Sequence, residues 1–173
     1  SIRRRVAEMA SFFDIQTWFR KNVSELSGGQ KQLLNLASIM AMQPKVLILD
    51  EPTSQLDPIA AGEFLKVVYR INRELGTTVI ISEHRLEELF TMADKVLVMD
   101  EGKLIACGTP WKIGNFLAGD ASTQRHPMFY GLPAVMKLYS HCRTAGLPTF
   151  LREGKEIAPL TIRDGRLWLE QIF

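Results

Sequence analysis

The sequence predicts an α/β fold with a parallel sheet at its core, and three segments carry this prediction. Residues 46–49 (VLIL) and 77–82 (TTVIIS) are largely apolar runs, typical of parallel strands covered on both faces. Residues 58–75 lie between them and have apolar side chains at helical spacing, with Pro58 in the first turn and Gly76 as the stop. A strand, a helix and a second strand are therefore expected over residues 46–82.

The first residues are predicted to form a helix, at 2–13, followed by a connecting segment at 14–24. The apolar face of the helix consists of Val6, Met9, Ala10 and Phe13. The connecting segment is anchored by Ile15, Trp18 and Phe19. These three side chains are expected in the core, and the aromatic rings could alternatively face a partner protein.

A glycine-led helix tip follows at Ser27, Gly28 and Gly29. The next apolar residues recur at helical spacing, so this helix should begin near Gly29 or Gln30, and Ser27 can cap it. Glycines let the backbone approach a ligand closely, and the free N–H groups of a helix N-terminus favour an anion such as phosphate. An ordinary capped helix would show the same residues, so the tip alone leaves both interpretations open.

Two acids close the first predicted strand, Asp50 and Glu51, directly before Pro52. Open α/β sheets bind ligands at the carboxyl ends of their strands. Asp50 is suited to hold Mg²⁺, directly or through water, because this ion prefers hard oxygen ligands. Glu51 can orient and polarise an attacking water. The alternative is a surface Asp-Glu pair at the start of a loop.

The second predicted strand ends on Glu83 and His84. A single histidine after a strand more often caps a helix or lies on the surface. Here the neighbouring strand end carries two acids, which favours a ligand role, and His84 could donate a hydrogen bond to a γ-phosphate. His126 and His141 lack such surroundings and are expected to be structural.

The remaining residues predict closing elements and an extension. A helix at 85–92, a strand at 95–99, a hairpin turn at 100–103, a strand at 104–107 and a short helix from about 108 come first. Residues 117–127 are rich in small and polar side chains and predict a linker. Helices at 132–145 and 160–173 follow. They are too short to form a core of their own, so they should pack on the preceding domain or on a second copy.

Composition excludes several classes of protein. The 173 residues carry a net charge of +2, which gives no electrostatic argument for nucleic-acid binding. Cys107 and Cys142 are far apart, so a disulfide framework is not expected and a reducing cytosol is the default. No apolar run approaches the roughly 20 residues that span a bilayer, and no signal peptide is recognised. Membrane contact is therefore expected through a partner.

Four motifs together resemble those of ATP-binding cassette (ABC) ATPases. Residues 26–30 (LSGGQ) resemble the signature motif, and residues 47–52 (LILDEP) resemble the Walker B strand with its catalytic glutamate. Residues 54–57 (SQLD) are similar to the D-loop, and His84 is similar to the switch histidine. The motifs follow the family's order and spacing. The resemblance extends from the first helix to about Pro110.

One departure from the family is large. The sequence contains no G-x-x-x-x-G-K-[ST], the loop that cradles phosphates, and offers no candidate for the Q-loop or the adenine-stacking residue. The resemblance therefore implies the C-terminal part of a P-loop NTPase cassette, with a parallel sheet core, a remnant of the helical subdomain and a small helical C-terminal extension. The implied divisions are 1–44 for the signature subdomain, 45–117 for the core with Walker B, D-loop and switch histidine, and 118–173 for the linker and extension.

The resemblance also implies a mechanism, with ATP and Mg²⁺ as ligands. In the family, two cassettes associate head to tail, and each ATP lies between the Walker A loop of one and the signature motif of the other. The residues implied to contact the γ-phosphate across this interface are Ser27, Gly28, Gly29 and Gln30. Asp50, Glu51 and His84 would serve the site in cis, with Asp50 on the metal, and Asp57 would couple the two sites. This chain alone is expected to be inactive, because it lacks Walker A.

Three further stretches resemble the ATPases of energy-coupling-factor importers, which take up vitamins and metal ions such as cobalt or nickel. These stretches are EHRLEE (83–88), ADKVLVM (93–99) and PLTIRDGR (159–166). Such ATPases often carry a C-terminal extension that helps hold two cassettes together. The implied partners are a second cassette and an integral membrane transporter subunit, with no nucleic acid. The implied location is the cytoplasmic face of the cell membrane, peripherally, and the membrane subunit would choose the substrate.

Two other functions remain open at this point. A DNA-repair or chromosome-maintenance ATPase would carry the same motifs, but it usually interrupts the cassette with a long coiled coil, and no heptad stretch precedes the signature-like residues. A non-catalytic regulatory module could use the signature half only to activate an intact partner.

Overall fold

The computed structural model describes residues 2–84, 86–119, 125–152 and 155–173. The chain divides into two compact parts, an amino-terminal unit (Ser1–His84) and a carboxy-terminal unit (Arg85–Phe173). The limits predicted from the sequence, at 44/45 and 117/118, concern the subdomains of a complete cassette and stay predictions. Five residues of the predicted linker, 120–124, lie outside the described residues.

The amino-terminal unit is built from helices around a pair of parallel strands. Its elements are α1 (Ile2–Phe12), a 3-10 turn (Val23–Glu25), α2 (Gly28–Met40), β1 (Val46–Asp50), α3 (Pro58–Leu75) and β2 (Thr78–Ser82). Strands β1 and β2 pair in parallel, with Leu47 opposite Val79 and Asp50 opposite Ser82. The two strands therefore end at the same edge of the sheet, as the sequence predicts.

Helix α3 connects the two strands, as parallel pairing requires. It has the predicted bounds because its ends are chemically defined: Asp57 caps the first turn, Pro58 occupies its first position, and Gly76 follows in the left-handed conformation at φ 68°. Its inward residues are Phe64, Leu65, Val68 and Ile71, and all four are buried. Helix α3 therefore packs into the core of this unit through one face.

The prediction that the strands are covered on both faces is wrong for this structure. Leu47 is buried, whereas Val46, Ile48 and Ile80 are 51%, 72% and 52% exposed. Because side chains alternate along a strand, Leu47 lies on one face and its neighbours on the other. Ile48 pairs with Ile80 across the two strands, so the open face is a continuous apolar surface.

The segment before the signature-like residues is partly buried. Met9, Ala10, Phe13 and Ile15 belong to the core as predicted, but Val6 is 42% exposed and Phe19 is 52% exposed.

The carboxy-terminal unit mixes helices with hairpins. Its elements are α4 (Leu86–Met92), β3 (Val96–Asp100), β4 (Lys103–Gly108), α5 (Pro110–Ala118), a 3-10 helix (Pro127–Gly131), α6 (Ala134–Thr144), β5 (Leu151–Arg152), β6 (Lys155–Glu156) and α7 (Ile162–Ile172). Strands β3 and β4 pair antiparallel, as do β5 and β6. The hairpin of β5 and β6 is absent from the sequence-based prediction.

One core joins the closing elements to the C-terminal extension. Its buried members include Phe90, Val98, Ile113, Leu117, Phe129, Leu132, Met136, Tyr139 and Trp168. The Trp168 ring meets Tyr139 edge-on at 4.9 Å between ring centroids, and its indole N–H donates to the Pro148 carbonyl at 2.9 Å. Helices α6 and α7 thus pack on α4, β3 and α5. Among the described residues, no helix is both long and apolar enough to cross a bilayer.

Candidate functional site

The ends of β1 and β2 bring together an acid and a histidine. Because Asp50 lies opposite Ser82, the residues that follow each strand face one another across the same edge. His84 Nε2 lies 2.9 Å from Glu51 Oε1. The His84 side chain is 83% exposed and that of Glu51 is 49% exposed, so both can meet a ligand from solution. Two residues predicted to act in one site are therefore adjacent.

The backbone of Glu51 adopts an unusual conformation. Its φ is 42°, in the left-handed region, which residues with a Cβ occupy uncommonly. The Glu51 N–H donates to the Ser82 carbonyl at 3.0 Å, and Ser82 Oγ lies 3.3 Å away. Strand β2 therefore holds the turn that aims the Glu51 carboxylate, and backbone strain of this kind is found where surrounding structure over-determines a residue.

Asp50 occupies the last position of β1 with an exposed side chain. Its carboxylate oxygen Oδ1 accepts a hydrogen bond from Ser82 Oγ, which orients the group at the strand edge. The described residues contain no cluster of three or more His, Cys, Asp or Glu side chains arranged for a metal. Mg²⁺ does not need such a cluster, because it is commonly held by one or two carboxylates together with waters and phosphate oxygens. The chemistry of Asp50 fits that mode of binding.

The signature-like residues form the capped start of α2. The helix begins at Gly28, one residue before the predicted start. Ser27 Oγ accepts from the Gln30 N–H at 3.2 Å, and Gln30 Oε1 accepts from the Ser27 N–H at 3.0 Å, which makes a capping box. In this arrangement the Ser27 hydroxyl acts as an acceptor, so its proton remains available to donate to an anion.

The two glycines at this tip differ in their surroundings. A Cβ at Gly28 would meet nothing within 4 Å, whereas a Cβ at Gly29 would lie 3.1 Å from the Ala60 Cβ on α3. Gly28 is exposed. Gly29 therefore permits the close approach of α2 to α3, and Gly28 leaves open space beside the helix start.

Other predicted residues have structural partners. Asp57 caps α3, since its Oδ1 accepts from the N–H groups of Ile59 and Ala60 at 3.0 and 2.9 Å. His126 Nδ1 accepts from the Met128 N–H at 3.2 Å, which agrees with the structural role expected for it. The structure thus groups Asp50, Glu51 and His84 at one edge and gives Asp57 a capping role.

Two residues beside the site are missed by sequence reasoning. Glu83 Oε1 accepts from the N–H of Thr53 at 2.9 Å and also from its hydroxyl, and Glu83 Oε2 accepts from the His84 N–H at 2.9 Å. Thr53 is fully buried. A signal was present in the sequence. Glu83 follows the second predicted strand and directly precedes the candidate histidine, so it adds a carboxylate at the same edge of the sheet.

Comparison with known proteins finds a matching family and similar proteins. The ABC transporter family matches residues 1–54. An ABC transporter ATP-binding protein of Bacillus anthracis is 42% identical over 154 residues, which is 89% of this chain and 27% of that protein. The energy-coupling factor transporter ATP-binding protein EcfA of Methanococcus maripaludis is 42% identical over 112 residues, 65% of this chain and 40% of that protein.

A solved structure is also similar. The cbiO1 protein of Clostridium perfringens, described as part of the ABC transporter complex cbiONQ, superposes with a TM-score of 0.60 at 39% sequence identity, over 64% of this chain and 44% of that one. The chain thus spans between 27% and 40% of the two curated relatives. The matched fold is that of the ABC ATPase cassettes, with the parallel strands and helices expected from the sequence. On these similarities, the chain belongs to the family of ABC transporter ATP-binding proteins.

Proposed function

We propose that this chain is the part of an ABC transporter ATPase that carries the catalytic glutamate, the switch histidine and the signature motif, and that it hydrolyses ATP when the rest of the cassette is supplied. The observation that carries the proposal is the 2.9 Å contact between Glu51 Oε1 and His84 Nε2 at the edge where β1 and β2 both end. The paired parallel strands present these groups to solvent at the edge where α/β proteins bind ligands.

The contact assigns a role to each group. A carboxylate can only accept hydrogen bonds, so His84 Nε2 carries the proton when the two are paired. The same N–H can donate to a γ-phosphate oxygen when ATP is bound. Glu51 then has its carboxylate free to orient and polarise the attacking water. His84 in this way links the presence of the γ-phosphate to the availability of the base.

The signature-like tip supplies the opposite side of the phosphate. The Ser27 hydroxyl can donate, and the first amides of α2 point outward with the positive end of the helix dipole. In a head-to-tail pair of cassettes, these groups would meet the ATP bound by the partner. Positioning and charge neutralisation dominate phosphoryl transfer, so separating the two halves of the site makes hydrolysis depend on closure of the pair.

Asp50 is the residue that would hold Mg²⁺. The ion supplies charge neutralisation on the phosphate oxygens. Asp50 faces solvent at the strand edge, and its hydrogen bond with Ser82 sets the direction of the carboxylate.

The chain should be inactive without the phosphate-binding loop. No G-x-x-x-x-G-K-[ST] occurs in the sequence, so the lysine and backbone amides that cradle the phosphates must come from elsewhere. The open apolar face of β1 and β2, which includes Val46, Ile48 and Ile80, supports this view. Parallel strands are normally covered on both sides, and the remaining sheet and helices of a cassette would cover this one.

We further propose that the transporter is an importer of the energy-coupling-factor type. The support is the 42% identity to EcfA and the 39% identity to cbiO1, whose description places it in the cbiONQ complex. The partners would be a second cassette and an integral membrane subunit. The chain would then lie at the cytoplasmic face of the membrane, attached through that subunit.

The test is to coexpress this chain with the amino-terminal portion of the EcfA cassette, which should supply the phosphate-binding loop, and to measure ATP turnover. We expect no turnover from either part alone and restored turnover from the two together. In the assembly, Glu51→Gln should keep ATP binding and lower kcat by about 10²–10⁴-fold, because it removes the general base. Glu101→Gln is the matched control, since Glu101 also follows a strand that ends in Asp and has φ 46°.

Two results would contradict the proposal. If the assembly with Glu51→Gln hydrolyses ATP as fast as the wild-type assembly, Glu51 does not take part in the reaction. An assembly that binds ATP but never hydrolyses it would instead support a regulatory half-cassette.

A further inference from the structure

The loops that carry Glu51 and His84 are joined by the side chain of Glu83, to which the motifs assign no role in the chemistry. Glu83 Oε1 accepts two hydrogen bonds from Thr53, one from its N–H at 2.9 Å and one from its hydroxyl. Glu83 Oε2 accepts from the His84 N–H at 2.9 Å. One carboxylate therefore bridges the turn after β1 to the turn after β2.

The burial of these groups makes the bridge strong. Thr53 is 0% exposed, and Glu83 is half-buried. Hydrogen bonds to a charged acceptor are stronger than neutral ones, and a buried donor left unpaired carries its full desolvation cost. The hydrogen bonds between Thr53 and Glu83 therefore resist separation of the turn after β1 from the turn after β2.

The bridge lies close to the unusual backbone conformation of Glu51. Glu51 is held at φ 42°, and Thr53 follows it by two residues. The Ser54 N–H also donates to the Glu51 carbonyl at 3.1 Å, so the turn is tight. Ordinary residues leave the left-handed region unless their surroundings prevent it. Relaxation of this turn would swing the Glu51 carboxylate away from His84.

We propose that Thr53 and Glu83 are positioning residues, which act through Glu51 and His84 and do not touch ATP themselves. This inference rests on the proposed function, in which Glu51 and His84 perform the chemistry. The bridge, named here the Thr53–Glu83 clasp, fixes the separation of the two turns so that the carboxylate and the imidazole meet. A clasp of this kind affects the rate of hydrolysis more than the binding of nucleotide.

The first experiment uses this chain by itself and measures amide hydrogen exchange by NMR. Thr53→Val keeps the shape of the side chain and removes the hydroxyl donor. We expect the Glu51 and His84 amides to exchange about tenfold faster in this variant, and Thr53→Ser to restore the wild-type rates. Thr77→Val is the matched control, because Thr77 is also buried (3% exposed) but bonds to the Pro44 carbonyl at 3.4 Å, away from the site. It should leave those two amides unchanged.

The second experiment uses the assembly with the EcfA amino-terminal portion. Thr53→Val and Glu83→Gln should each lower kcat roughly tenfold while KM for ATP stays within about twofold, since misplacement of the reacting groups slows the chemical step and leaves the ATP contacts in place. In a Glu51→Gln background, Thr53→Val should cost nothing further, because residues that act through one group are not additive. Thr53→Ser should recover most of the rate.

The outcomes separate the clasp from the proposed function. Unchanged exchange at Glu51 and His84 in Thr53→Val, or a kcat equal to that of the wild-type assembly, would overturn the clasp. A rise in KM at constant kcat would show that Thr53 acts on binding, which also overturns a positioning role. If the wild-type assembly hydrolyses no ATP, the proposed function fails, and the exchange rates still decide whether the clasp holds the two turns.

Discussion

Asp57 offers a test that separates a structural role from a catalytic one. Its carboxylate oxygen Oδ1 accepts from the N–H groups of both Ile59 and Ala60, at 3.0 and 2.9 Å, at the start of α3. Resemblance to the D-loop predicts that the same residue couples the two ATP sites of a cassette pair. Asp57→Ala removes the cap and the charge together, whereas Asp57→Asn keeps the capping oxygen and removes the charge.

The size of each effect follows from these contacts. Loss of an N-cap side chain costs about 0.5–2 kcal/mol, and the negative charge near a helix N-terminus contributes roughly 0.3–1 kcal/mol. Asp57→Ala should therefore lower the free energy of unfolding of the amino-terminal unit by about 1–2 kcal/mol. Asp57→Asn should lower it by about 0.5 kcal/mol, because asparagine caps about as well as aspartate. The buried face of α3, which includes Phe64 and Ile71, keeps the fold intact in both variants.

Urea unfolding of the chain measures these differences in the free energy of unfolding, and amide exchange in α3 locates them in this helix. With a slope of about 1–3 kcal/mol per molar urea, Asp57→Ala should shift the midpoint by roughly 0.3–2 M. Equal midpoints for wild type and Asp57→Ala would refute the cap, and equal losses for the two variants would refute the division into cap and charge. If Asp57 also couples the sites, Asp57→Asn should lower turnover in the paired assembly although its stability is nearly normal.

Two further predictions concern the carboxy-terminal unit. Trp168→Ala should lower its free energy of unfolding by about 3–5 kcal/mol, because a buried ring is lost, while Phe173→Ala, at a residue 97% exposed, should change it little. Denaturant titration measures both, and a loss below about 1 kcal/mol for Trp168→Ala would contradict the shared core. Burial raises the pKa of the Tyr139 hydroxyl above its ordinary 10.0, so the neutral form is favoured in the folded state. The associated stability is present below pH 10.0 and is lost as the pH rises through the folded-state pKa; Tyr139→Phe should flatten that alkaline loss in pH-dependent unfolding.

The elements with chemically marked ends were predictable from the sequence. Helix α3 has its predicted bounds because a cap, a proline and a left-handed glycine mark them at Asp57, Pro58 and Gly76. The strand-end acids and His84 were predictable as a group, because parallel strands end at one edge. The fold assignment is confirmed by the match to cassette structures, whereas the roles of the individual site residues stay predictions.

Features that depend on distant pairing could not be read from local pattern. The open face of β1 and β2 results from which elements lie beside the strands, and the apolar run at 46–49 looks the same whether one or both faces are covered. The hairpin of β5 and β6 is only two residues long on each side, below the length at which alternation is visible. The bridge from Glu83 to Thr53 joins residues 30 positions apart, and only the register of β1 on β2 places them together.

Two stretches of this chain show why the direction of strand pairing decides function. Glu51 follows the strand VLILD and Glu101 follows the strand VLVMD, and both glutamates have positive φ, at 42° and 46°. The strand before Glu101 pairs antiparallel, so its end turns directly back through Gly102 and Asp100 lies opposite Lys103. The strand before Glu51 pairs in parallel, so a second strand ends beside it and presents His84. Similar local sequences therefore make a hairpin turn in one place and a candidate catalytic pair in the other, because only parallel neighbours deliver two strand ends to one edge.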